Sequence, residues 1–120
     1  MIVSVTGLKT NGFFATIYFW WLAIPCFRQA RAAKGNLFCQ TKTINGYHHT
    51  LTVWKSRKHM KHYVLSGKHR KAMGQFAKIA TGSTISYESE TMPDWSSAYQ
   101  YWQAHARDYE GNNASLKTRN

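Results

Sequence analysis

Three of the chain's six histidines fall in one stretch, Leu51 to Met73, and their chemistry has to be weighed first. His59 and His62 stand three apart, a spacing that puts two imidazoles on one helical face, where they could chelate a metal. Lys55, Arg57, Lys58 and Lys61 surround them, and no carboxylate or cysteine is near. A cluster of cations repels a dication, so a solvated basic face is the better reading. His69 is different. It precedes Met73 by four and Phe76 by seven, which places it on the core-facing side of its helix. A neutral imidazole there can act as a general base or as an axial ligand to haem. The plain alternative is a core histidine bonded to a backbone carbonyl. Tyr63, one turn before a break at Ser66-Gly67, offers a phenol to the same region, and Tyr87 on a later strand is a further candidate. The five carboxylates, Glu88, Glu90, Asp94, Asp108 and Glu110, all lie near the C-terminal end. Glu88 and Glu90 share a strand face, but the solubility of an edge strand explains them as well as acid–base work does. The chain has no nucleophile elbow, P-loop or Rossmann glycine pattern.

The elements that must position these residues follow from periodicity. Residues 1–7 read as a strand with Val3 and Val5 on one face and Ile2, Ser4 and Thr6 on the other. A helix follows over about 15–34, with Pro25 expected to kink or break it and Gly35 after its end. Residues 36–44 and 47–54 are strands joined by Asn45-Gly46, the strongest hairpin signal in the chain. In the second of them Tyr47, His49, Leu51 and Val53 share one face, and His48, Thr50, Thr52 and Trp54 the other. Ser56 caps a pair of helices, about 56–65 and 67–81. A strand at 83–90 and a helix at 94–109, capped by Asp94, complete the order β-α-β-β-α-β plus a helix. The fold class is α+β, the ferredoxin-like pattern, in a single domain over 1–110, with 111–120 expected to be a disordered tail.

Composition narrows the partners. The formal net charge is +11, yet no nucleic-acid motif is visible, and the lysines and arginines read as helix faces and C-terminal helix charges. A nucleic-acid partner is not expected. Cys26 and Cys39 are too few and too isolated for a disulfide framework and read as reduced, packed thiols. Phe13 to Phe27, FFATIYFWWLAIPCF, is shorter than a membrane span and is interrupted by Thr16 and Pro25. It lacks the basic n-region and cleavage site of a signal peptide. It reads as a buried helix, with Tyr18, Phe19, Trp20 and Trp21 mostly core. A membrane partner is not expected, and a cytoplasmic location is the default.

Two helices cover only one face of a four-stranded sheet. The face carrying Trp54 and several Thr and Ser residues is expected to be the uncovered one, and pairing two sheets in a C2 homodimer would bury it. Its mixed lining, neither oily nor charged, suits a cavity better than a solid core.

The run Leu51-Thr-Val-Trp-Lys-Ser56, then Tyr63-Val-Leu-Ser-Gly-Lys-His69, with Arg28-Gln-Ala-Arg-Ala-Ala-Lys-Gly35 upstream and Pro93-Asp-Trp95 downstream, resembles the spheroidene monooxygenase-like family of small bacterial proteins. The resemblance covers roughly residues 1–105 and implies a dimeric α+β barrel. The LTVWKS segment is also similar to haem-degrading monooxygenases of the same superfamily. Their pocket relies on an Asn on the first strand, a Trp on the following helix and an axial His. Here only His69 has a counterpart, Tyr63 sits near the Trp position, and strand one offers Ser4 and Thr6. The resemblance implies a monooxygenase-like protein with a pocket for a small apolar ligand, haem or carotenoid-like. His69 and Tyr63 are its catalytic candidates. Trp54, Thr52, Ser4, Thr6 and Tyr87 are the cavity-lining ones, and haem is a candidate cofactor held by His69. The alternative is a non-catalytic dimeric module that binds a ligand or a partner.

Overall fold

Alternating side chains and one Asn-Gly turn decide the sheet. β1 (Ile2–Thr10), β2 (Asn36–Ile44), β3 (Tyr47–Trp54) and β4 (Ala80–Glu88) pair antiparallel in the order β2-β3-β1-β4. Asn45 and Gly46 take φ of 51° and 82°, the two positive values that a type I′ hairpin turn requires. The helices are α1 (Phe13–Ala32), α2 (Arg57–Val64), α3 (Gly67–Ile79) and α4 (Trp95–Gly111). This is the ferredoxin-like arrangement, with its second crossover helix split in two and a helix added at the end. The computed structural model describes residues 1–111. Past Gly111, which closes α4, the expected tail lies outside the described residues.

Both expected caps are in place. Ser56 Oγ accepts from the His59 backbone N–H at 3.3 Å, and Asp94 Oδ1 accepts from that of Ser97 at 2.7 Å, each satisfying a donor that the first helical turn leaves free. α1 runs unbroken through Pro25. The carbonyl that Pro25 cannot pair belongs to Trp21, and both residues are exposed, so water can satisfy it.

The layering differs from the expectation in two ways. The face with Ser4, Thr6, Thr50, Thr52 and Trp54 is not the open one; it lies under α1, α2 and α3. The opposite face, with Val3, Val5, Leu51, Val53 and Ile85, packs on Ala98 and Trp102 of α4. Trp95, Ala98, Tyr99 and Trp102 fall at helical spacing, and that stripe is the signal that assigns α4 to the sheet. The chain therefore covers its second sheet face itself, and the case for a second copy over the Trp54 face falls away.

α1 also turns out half buried. Phe19, Ala23, Cys26 and Ala30 face inward, at steps of four, three and four. Tyr18 and Trp21, expected in the core, are 41% and 76% exposed. A helix apolar around most of its circumference has only one stripe that can meet the sheet.

Trp102 fixes α4 in place. Its indole N–H donates to the Ser83 carbonyl at 3.2 Å, and its ring lies over Gly7, where an added Cβ would come within 2.3 Å of it. Gly7→Ala must therefore push α4 off the sheet, at an expected cost of about 1–3 kcal/mol. A thermal melt with no loss would show that α4 does not sit this close.

Candidate active site between the sheet and the helical layer

β1 and β3 deliver hydroxyls, not alkyl groups, to the space beneath the helices. Ser4 pairs with Thr52 and Thr6 with Thr50 across the strands, and β4 adds Thr84. Thr6 and Thr84 share a hydroxyl–hydroxyl hydrogen bond of 2.7 Å, and Thr84 also reaches the Val5 carbonyl at 3.4 Å. Above this floor, Phe19 and Phe27 of α1, Met60 of α2, and Met73 and Phe76 of α3 form an apolar roof. Small hydroxyl side chains cannot fill the gap to the helices, and a cavity results. Its volume is about 90 Å³. That is room for several waters, each needing roughly 10–15 Å³.

One wall is a stack of three rings. Trp54 lies against Tyr63 with centroids 5.3 Å apart and planes at 27°. Tyr63 meets His69 edge-on at 4.9 Å. The structure thus brings Ser4, Thr6, Thr52, Trp54, Tyr63 and His69 around one cavity. Tyr87 is elsewhere: it lies on the opposite sheet face, stacked on Tyr101 of α4 at 4.0 Å. Strand alternation separates them, since Tyr87 is the cross-strand partner of Val3, not of Ser4.

His69 is neutral and oriented. Its Nδ1 lies 3.2 Å from the Val64 carbonyl, which can only accept, so Nδ1 carries the proton and Nε2 the lone pair. Nε2 makes no hydrogen bond among the described residues. Burial holds the imidazole's pKa below its ordinary value, and the Val64 carbonyl opposes this only in part. Tyr63 is less available. Its hydroxyl donates to the Cys26 carbonyl at 2.8 Å, and burial foremost, then the Cys26 and Cys39 sulfurs, push its pKa well above the phenol range. It cannot release a proton at neutral pH, and its oxygen faces a ligand only as an acceptor. Its position suits holding His69 and Trp54.

Among the described residues no carboxylate lines the cavity, and no three of His, Cys, Asp and Glu cluster as a metal site would need. His59 is taken up locally, with Nδ1 bonded to Ser56 Oγ at 2.7 Å and its ring packed against Gly35. Haem does not fit the site: drug-sized ligands need pockets of about 300 Å³ or more, and the cavity is far below that. An extended carotenoid-like chain exceeds it for the same reason.

A residue that the spacing argument passed over stands out on the other face. His49 is 1% exposed, enclosed by Trp102 at 4.6 Å, Tyr99 at 5.3 Å and Tyr47 at 6.2 Å. Among the described residues neither ring nitrogen has a hydrogen-bond partner, and the Thr6 backbone nearby pulls the pKa up. Burial, far outweighing that pull, lowers its pKa to about 4. The folded protein therefore keeps His49 neutral, while the unfolded chain takes up a proton near pH 6.5. Stability is fully present above pH 6.5 and falls as the pH drops toward 4, by an amount on the order of 3 kcal/mol. Urea unfolding of wild type and His49→Leu at pH 7 and pH 4.5 checks this, because the variant should lose part of the acid sensitivity.

No family model matches the chain, and no curated protein does. Solved structures do. A Deinococcus radiodurans protein with the provisional label antibiotic biosynthesis monooxygenase has a TM-score of 0.68 at 14% identity, over 78% of this chain and 97% of its own. SnoaB of Streptomyces nogalater, described as a cofactor-independent oxygenase, has a TM-score of 0.64 at 10% identity, over 78% and 97%. A Mycobacterium tuberculosis protein has a TM-score of 0.64 at 13% identity, over 79% and 99%. At these identities the likeness establishes the fold: the chain has the ferredoxin-like α+β fold of antibiotic biosynthesis monooxygenase domain proteins.

Proposed function

We propose that the chain is a monooxygenase-like enzyme that binds a small, uncharged, single-ring phenol with a free para position in the cavity beneath α1–α3 and oxidises it with molecular oxygen. The observation that carries this reading is His69, a neutral base whose Nε2 is uncommitted at a cavity with a hydroxyl floor and an aromatic wall. Ser4, Thr50 and Thr52 offer hydrogen bonds to the ligand's oxygen, Trp54 offers a stacking surface, and Met60 and Met73 can shift to admit a ring because thioether side chains repack easily. His69 Nε2 takes the phenolic proton. The phenolate is electron-rich enough to reduce oxygen itself, giving a peroxide at the ring carbon para to the oxygen. That carbon then gives up its hydrogen as a proton while the O–O bond breaks, and the departing oxygen takes that proton and the one held by His69 to leave as water. Phenol plus O₂ becomes quinone plus water, and no further reductant is needed. The description of SnoaB as a cofactor-independent oxygenase supports such chemistry on this fold.

A second reading has its own observation. Tyr63 has committed its proton and no carboxylate among the described residues faces the cavity, so His69 has no acid–base partner among them. This favours a binding module without turnover. Oxygen uptake with phenol and 2,6-dimethylphenol, both single-ring and unsubstituted at the para carbon, alongside quenching of Trp54 fluorescence, separates the two. Binding with oxygen uptake and quinone formation supports the enzyme; binding without uptake supports the module.

A further inference from the structure

The outer face of the helical layer combines two features that pull toward the same partner. Phe13, Phe14, Ile17, Tyr18, Trp21 and Ile24 of α1 are exposed, three of them strongly: Phe13 72%, Phe14 83% and Trp21 76%. The three aromatics alone present roughly 450 Å² to water at about 200 Å² per ring side chain, as large as the biggest patch on an ordinary monomer. Phe14, Ile17, Trp21 and Ile24 follow one another at steps of three, four and three, and so form one stripe. Around it the charge has a single sign. α1, α2 and α3 carry nine lysines and arginines, two, three and four in turn, and no aspartate or glutamate. Arg28 continues the stripe one turn after Ile24. Exposed Lys71 lines a groove on this face together with Tyr18 and Trp21.

We propose that this face docks on an anionic membrane surface, with the Phe14–Ile24 stripe in the boundary between headgroups and acyl chains and the flanking cations on the lipid phosphates. No helix among the described residues is long and apolar enough to cross a membrane, so the contact is one of lying on the surface. An apolar stripe edged by Lys and Arg is the composition such contacts use. A nucleic acid would use the cations and leave the stripe wet. A second copy set face to face would bring exposed like charges, Arg28 and Lys71 of each chain, against one another, with no aspartate or glutamate on α1, α2 or α3 to offset them. Cys26 lines both the groove between α1 and α3 and the inner cavity, so the docked face adjoins the ligand space.

The test is co-sedimentation of the full chain with phosphatidylglycerol–phosphatidylcholine vesicles and with phosphatidylcholine alone. The expected result is binding to the anionic vesicles that weakens with salt, little binding to the neutral ones, and quenching of Trp21 by brominated acyl chains. Phe14→Ser/Trp21→Ser loses most of the bound fraction, and Arg70→Glu/Lys71→Glu loses the preference for anionic lipid. All four positions are exposed, so circular dichroism should be unchanged, and quenching of Trp54 by a cavity ligand should persist in both variants. Failure to sediment with either vesicle, or equal binding by wild type and both variants, overturns the proposal. So does sedimentation equilibrium showing a dimer that Phe14→Ser/Trp21→Ser dissolves, since the face would then belong to a second copy.

Discussion

Replacing His69 with alanine should lower oxygen-dependent turnover of a phenol by roughly 10²–10⁴-fold while leaving the ligand bound. That range is what a positioned general base contributes. The geometry gives the reason: the Val64 carbonyl fixes the tautomer, so the lone pair available to the substrate always sits on Nε2. The pH profile adds a signature that a structural role would not produce. Burial lowers the His69 pKa, so the free base persists below pH 6.5, and the acid limb of the rate should lie below that value. In His69→Ala the limb should vanish, and added imidazole should restore part of the rate. An alanine variant that turns over as fast as wild type, with the same acid limb, would remove His69 from the chemistry and leave the cavity as a binding site. Imidazole lost from the wall also leaves Tyr63 without its edge-on partner, so fluorescence titration of Trp54 is needed beside the rate, to separate a lost base from a lost pocket.

Trp102→Ala should be the most destabilising single substitution on the α4 side, at about 3–5 kcal/mol. The ring is 5% exposed and makes contact with His49, Tyr47 and Tyr99, and its N–H satisfies the Ser83 carbonyl. Gly7 has no side chain to fill the space that the ring leaves, and of its neighbours His49 also reaches it. Against a total stability of about 5–15 kcal/mol for a domain, such a loss takes the chain close to unfolding at moderate temperature. Urea denaturation reads the cost directly. Where the variant stays folded, oxygen turnover should survive, because the cavity lies across the sheet from α4. A cost below about 1 kcal/mol would show that α4 is not part of the core.

How much of this was legible in the chain differs from element to element. The turn at Asn45-Gly46, the caps at Ser56 and Asp94 and the two faces of β3 are local facts: each depends on a few residues and their allowed dihedrals or on the period of a strand. They fix the element order, and with it the ferredoxin-like fold. Period two says that Thr50, Thr52 and Trp54 share a face; it does not say what will lie on that face. That depended on α4, whose Trp95, Ala98, Tyr99 and Trp102 claim the Val and Leu face and leave the hydroxyl face to α1–α3. The same limit separates Tyr87 from the cavity and puts His49 among three aromatic rings without a hydrogen bond. On α1 the apolar run specified a helix, but which of its faces turned inward, Phe19 rather than Trp21, was settled by packing against the sheet. Burial belongs to a residue and its neighbours together, and most of those neighbours are far away along the chain.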